Sequence, residues 1–122
     1  MKNWGNRGVA VLAVATAVVA CGSAPKKPSD FHPTATQQTS FLSIERDAGG
    51  FEGQHASDTD LVGLAKDACS FMSHESYEKS SATISGDFSK FGVPHKPVDV
   101  QTLIFAAVKQ ICPQYDKKLP AP

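Results

Sequence analysis

Three cysteines, four histidines and a Ser-x-x-Lys tetrad are the parts of this sequence whose residue types could do chemistry. The cysteines are Cys21, Cys69 and Cys112, so two can pair and one is left over. A thiol can be acylated, oxidised to a disulfide, bound to a metal or used as a nucleophile, and its compartment and neighbours decide among these. His32, His55, His74 and His95 are scattered at spacings near twenty and form no His-x-x-x-His pair, so no metal site is expected. His74 and Glu78 are four apart, yet "HESYE" lacks the second histidine of a zinc-protease helix. Ser76-Tyr77-Glu78-Lys79 has the spacing found in penicillin-recognising enzymes, but Ser-Asp-Asn and Lys-Thr-Gly are missing and the chain is too short for that fold. "GGFEG", Gly49 to Gly53, is not followed by Gly-Lys-Ser/Thr, and its simpler role is to end a helix. No nucleophile, acid and base can be named together, so neither an enzyme nor a cofactor is expected.

The environment of Cys21 answers which cysteine is odd. Met1 to Arg7 carries Lys2 and Arg7 and no acid, and an apolar or small run follows from Gly8 to Ala20. That length suits a secretory signal core, whereas a membrane span needs about 20 residues. Residues 1–20 therefore read as a signal peptide. Val18-Val19-Ala20-Cys21 resembles a bacterial lipobox, in which Cys21 becomes the lipidated first residue of the mature chain; a plain secreted protein is the alternative. With Cys21 acylated, Cys69 and Cys112 remain as an even pair in an oxidising setting, which favours a disulfide. Two reduced core cysteines are the alternative. A redox-active pair is disfavoured because Cys-x-x-Cys is absent and both positions fall on apolar stripes.

Charge limits the partners. Removing Lys2 and Arg7 from the twelve basic residues leaves ten against twelve acidic ones, so nucleic acid is not an expected partner. A lipid on Cys21, rather than a basic patch, is expected to hold the chain to a membrane.

The elements that position these residues follow from periodicity. Residues 21–38, with Pro25, Pro28 and Pro33 and no hydrophobic period, read as the lipidated N-terminus and a disordered linker reaching roughly 20–25 Å. Residues 39–119 form one small helical domain, near the size at which a crosslink becomes useful, and 120–122 a disordered tail. In "VDVQTLIFAAVKQIC", Val100, Leu103, Ile104, Ala107, Val108, Ile111 and Cys112 recur at helical spacing. Asp99 is placed to N-cap this helix, with Val98 and Leu103 as a hydrophobic staple, and Pro113 ends it. In "SDTDLVGLAKDACSFM", Leu61, Leu64, Ala65, Ala68, Cys69 and Met72 form a second stripe behind a Ser57/Asp60 cap.

"TSFLSIERDAGG" predicts a short helix contributing Phe41, Leu42 and Ile44, stopped by Gly49 and Gly50. "ESYEKSSATI" allows a weaker helix with Tyr77, Ser81 and Ile84 on one face. "SGDFSKFGVPHKP" then reads as a loop whose Phe88, Phe91 and Val93 fold back as a lid. No period-2 alternation is long enough for a strand. The fold class is thus all-α: three to four short helices stapled by one disulfide, preceded by a signal peptide and a tether.

"SFLSIERDAG", the "AKDACSFM" helix and the "VQTLIFAAVKQICPQY" ending together resemble the small exported proteins of mycobacteria and their relatives grouped as domain-of-unknown-function family 732. The resemblance covers roughly Thr39 to Tyr115, and its most specific piece is Ala106-Ala107-Val108 with Cys112-Pro113-Gln114-Tyr115. It implies an all-helical domain with Cys69 bonded to Cys112, an exported or lipoprotein context, and no activity. The chain departs from the family in its polar middle, "EKSSATISGDFSKFGVPH". The expected function is that of a non-enzymatic lipoprotein on the outer face of the cytoplasmic membrane, meeting an envelope or host protein through an exposed patch that includes Tyr115 or Phe51. The alternative is a small carrier that holds an apolar ligand, a lipid, in a groove between helices under Phe88 and Phe91.

Overall fold

The computed structural model describes residues 25–90 and 95–121, the side chains of residues 51 and 52 excepted. Within them the fold is all-α, with no strand among the described residues. The signal segment, Cys21, Phe91 and Val93 lie outside the described residues.

The centre is a pair of helices whose stripes were legible in the sequence. One, α3 (Asp58–Met72), buries Leu61, Leu64, Ala65, Ala68, Cys69 and Met72 on a single face. Ser57 caps it: its hydroxyl accepts from the Asp60 amide at 3.0 Å, while Asp58 and Asp60 place negative charge at the positive end of the helix dipole. Against it packs α5 (Pro97–Gln110), burying Val100, Leu103, Ile104, Ala106, Ala107 and Val108. Removing each large apolar side chain from water is worth about 1.5–3 kcal/mol, which makes this shared face the main source of stability.

The start of α5 differs from the expected cap. Pro97 takes the first helical position, where its fixed φ and missing N–H carry no penalty, so the helix begins three residues earlier than an Asp99 cap would place it. Asp99 instead sits in the first turn, and its carboxylate accepts from the Lys96 amide at 2.8 Å. Val98 then faces solvent, 56% exposed, and does not form the expected staple with the buried Leu103. The other end is as expected: Cys112 leaves helical geometry (φ −131°, ψ 62°) ahead of Pro113.

Two further helices flank the pair. The first, α1 (Ala35–Ala48), packs on α5, and the fourth, α4 (Tyr77–Lys90), packs on both α3 and α5. Thr34 and Gln37 form a capping box for α1, the Gln37 amide donating to the Thr34 hydroxyl at 3.1 Å and the Thr34 amide to the Gln37 side chain at 2.8 Å. This start, ahead of Thr39, corrects the expected linker. Pro25 to Gln38 is not a free tether, because Phe31 is buried in the core and a short 3-10 helix, Pro28–Asp30, precedes it. At its other end α1 is closed by Gly49, whose amide donates to the Glu45 carbonyl at 2.8 Å.

Gly50 then turns the chain at φ +74° into a short helix, α2 (Gly50–His55), that the sequence did not announce. This helix lies so close on α1 that a Cβ at Gly53 would overlap the Glu45 carbonyl oxygen. Arg46 fastens the crossing, donating to the carbonyls of Gly53 at 2.9 Å and Ala56 at 2.8 Å and pairing with Asp58 at 2.5 Å.

The fourth helix corrects the expected loop. It runs to Lys90 and buries Ser80, Ile84 and Phe88, one residue per turn; Ile84 is on the inner face as expected, whereas Tyr77 and Ser81 are only half-buried. Phe88 is a fully buried core residue. A 3-10 helix, Pro113–Lys118, ends the fold, and the Lys118 ammonium donates to the Met72 carbonyl and, at 3.2 Å, to that of Glu75. It thereby supplies the positive charge that the α3 C-terminus lacks in its own last turn.

Candidate functional site

The two downstream cysteines meet. Cys69 lies on the inner face of α3 and Cys112 just beyond α5, with sulfurs 2.09 Å apart, Cα atoms 6.0 Å apart and no solvent exposure at either residue. Thiol–disulfide exchange needs a thiolate to reach a sulfur, so a bridge enclosed by the core serves as a staple rather than as a redox centre. Cys21, the lipidation candidate, lies outside the described residues.

The other chemistry-bearing residues resolve into local roles. The Ser76 hydroxyl accepts from the Lys79 amide at 3.2 Å, so the Ser-x-x-Lys spacing here is the cap of α4. His74 meets Ser73 at 3.2 Å and Glu75 at 3.8 Å rather than acting with Glu78. His95 hydrogen-bonds Ser85 at 2.9 Å and lies edge-on to Phe88, which ties the segment before α5 to α4. Among the described residues no three His, Cys, Asp or Glu side chains converge on a metal position. Two titrations are displaced among the described residues: the Tyr77 hydroxyl is pushed up by burial and then by the negative charge of Glu78, and an aspartate is shifted further. The Asp67 carboxyl on α3 is pushed up to about 6, first by burial and then by the negative charge of Asp87 on α4, to which it hydrogen-bonds. Asp87 also pairs with Lys90 at 3.3 Å.

Phe88 fills the core and does not serve as the expected lid, and Phe91 and Val93, the other two lid residues, lie outside the described residues. Tyr115 is not a free patch residue either: its ring meets Phe31 at 6.4 Å and lies under the Lys118 ammonium at 5.8 Å. The Phe51 side chain is outside the description.

The apolar surface lies instead on the outer face of α5. An open groove of about 490 Å³ is lined by Ile44 of α1 and by Val98, Phe105 and Ala106 of α5, with Gln101 and Lys109 among its polar edges. Phe105 and Lys109 also line an adjoining hollow that ends at Leu119 and Pro120. The Tyr77 ring stands edge-on to Phe105 at 6.0 Å and holds it in place. Lys109 is held at the rim by Asp116 at 2.5 Å. The larger hollow, about 680 Å³ beside the α1–α2 turn, has Asp47, His55 and Lys96 on its walls, and its Asp99 is already committed to the α5 start.

The groove lies off the buried stripe of α5 that helical periodicity picks out. The signal was present: Val98 and Phe105 are two apolar residues seven apart, a second apolar line on a helix whose core line was already complete. Set against protein-family models, curated proteins and solved structures, the chain matches none of them.

Proposed function

We propose that the chain is an exported, non-enzymatic lipoprotein of the kind grouped in domain-of-unknown-function family 732. In this reading an acyl chain on Cys21 fixes it to the outer face of the cytoplasmic membrane, and the outer face of α5 receives an envelope or host protein. One observation carries the contact surface. Val98 is a large apolar side chain left 56% exposed, at the edge of a groove that also presents Ile44, Phe105 and Ala106. Apolar surface of this kind, rimmed by polar groups, marks interaction sites. Anchoring supports the same reading, because a membrane-bound receptor meets its partner in two dimensions at raised local concentration.

The test is photo-crosslinking from position 101, on the groove edge, in intact cells. A single protein adduct that disappears with Val98→Asp supports the reading, and the absence of any adduct in the native envelope contradicts it. The groove volume of about 490 Å³ also lies in the small-molecule range, so an apolar ligand is the second reading. Co-extracted lipid in native mass spectra, lost on Phe105→Asp, would favour the carrier.

A further inference from the structure

We propose that the end of the bundle at the C-terminus of α3 is a seat for an anionic lipid surface, so that the domain rests on the bilayer rather than being lifted away from it. This rests on the reading that Cys21 carries the lipid. Three observations carry it further.

The first is where the N-terminal arm leaves the fold. The Lys26 amide donates to the Ser73 hydroxyl at 3.0 Å, and the Ser70 hydroxyl donates to the Lys26 carbonyl at 2.5 Å, both at the last turn of α3. Phe31, 6% exposed, then plugs the arm into the core beside Tyr115.

The second is length. Gly22 to Pro25, four residues, are all that separates Lys26 from Cys21. Five chain steps reach at most roughly 18 Å when extended, and about 12 Å as a flexible coil. So short a tether keeps this end within one or two Debye lengths of the surface, about 8 Å each at physiological salt, and lets its charges come inside that range. A linker of the length expected from sequence would let them spend far less time there.

The third is charge. Lys26, Lys27, Lys117 and Lys118 are all exposed and belong to the two chain segments that meet at this end. The acids among them already have partners: Asp30 accepts from the Lys27 amide at 2.9 Å, Asp116 pairs with Lys109, and Glu75 lies 3.8 Å from His74 and 3.9 Å from Lys79. At the beginning of α3, by contrast, Asp58 is paired with Arg46, while Asp60, with Asp47 near the end of α1, adds negative charge that no lysine pair offsets among the described residues. The molecule is therefore polarised along α3, with its lysine end tethered. Each lysine near an anionic surface is worth roughly a fivefold gain in affinity.

The test is a lysine footprint. The full chain is expressed in a lipoprotein-processing bacterial host and reconstituted in vesicles of phosphatidylcholine alone or mixed with phosphatidylglycerol. Intact mass first reports the state of Cys21. An unacylated Cys21 sinks the anchor; it is then coupled to a maleimide phospholipid, being the one thiol outside the Cys69–Cys112 bond, so that the seat is tested separately. On anionic vesicles, acetylation of Lys26, Lys27, Lys117 and Lys118 should slow by about fivefold or more, while Lys66, Lys90 and Lys96 react as they do in solution. Lys27→Glu with Lys117→Glu should abolish the protection of Lys26 and Lys118 without moving the melting temperature. Equal rates on the two kinds of vesicle, or protection centred on Lys66, Lys90 and Lys96, would overturn the seat.

Discussion

The Phe31 ring stands edge-on to the Tyr115 ring, centroids 6.4 Å apart and planes at 71°. The contact joins the N-terminal arm to the C-terminal 3-10 helix over the end of α3, so both ends of the described chain are held at one place. Phe31→Ala should release the arm. A buried Phe→Ala substitution costs about 3–5 kcal/mol, and at this edge of the core the lower figure is expected. The thermal melt should shift down, and the Lys26 amide, which donates to Ser73, should exchange rapidly in the variant and slowly in the parent.

The bond between Cys69 and Cys112 closes a sequence separation of 43 residues. In the chain-entropy model a loop of that size destabilises the unfolded state by about 4 kcal/mol, a large share of the 5–15 kcal/mol typical of a domain. Cys69→Ser and Cys112→Ser should each lower the melting temperature sharply. The double substitution should cost far less than the two singles added together, since the same bond is lost in each. An unchanged melt on reduction would contradict the staple.

Asp67 and Asp87 make the packing of α3 on α4 sensitive to pH. The folded value for Asp67, about 6, stands above its ordinary 3.8, so the fold favours the protonated form. The stability gained is complete below the ordinary value and is lost as pH rises through 6. Discounted for solvent screening at a half-buried site, it amounts to about 1 kcal/mol. Chemical denaturation at pH 4.5 and pH 7.5 should show the difference, and Asp67→Asn should flatten it while stabilising the domain at the higher pH.

Glycine substitutions should divide by sign. At Gly53 an added Cβ overlaps backbone of α1, which cannot yield without moving α2, so Gly53→Ala should destabilise by about 1–3 kcal/mol. At Gly63 and Gly86, in α3 and α4, the added methyl meets nothing within 4 Å. Alanine at either should therefore stabilise by about 0.5–1 kcal/mol through helix propensity. Equilibrium unfolding of the three variants checks all of this.

The helices best read from sequence were those whose burial face is unbroken. Leu61 to Met72 and Val100 to Cys112 show complete apolar stripes, and the structure buries every member. The remainder was hidden for physical reasons. In α4 the inner face is Ser80, Ile84 and Phe88, and one buried hydroxyl with Gly86 between the two apolar residues breaks the pattern. In α2 the determinant is a tight approach of Gly53 to α1, which no periodicity announces. The start of α1 was legible, since Thr34 and Gln37 have capping-box spacing, but three prolines before it drew the boundary too late. The groove needed the outer line of α5, where Val98 and Phe105 gain exposure only once the helix is known to begin at Pro97.

The lipid on Cys21 is the claim from which the site of action follows, and intact-mass analysis of the chain recovered from the membrane fraction tests it most directly. The expected result is a chain beginning at Cys21 and carrying the added mass of the acyl lipid, with Cys21→Ala giving an uncleaved precursor or a soluble form. An unmodified Cys21, or a mature chain cut at another residue, would contradict it.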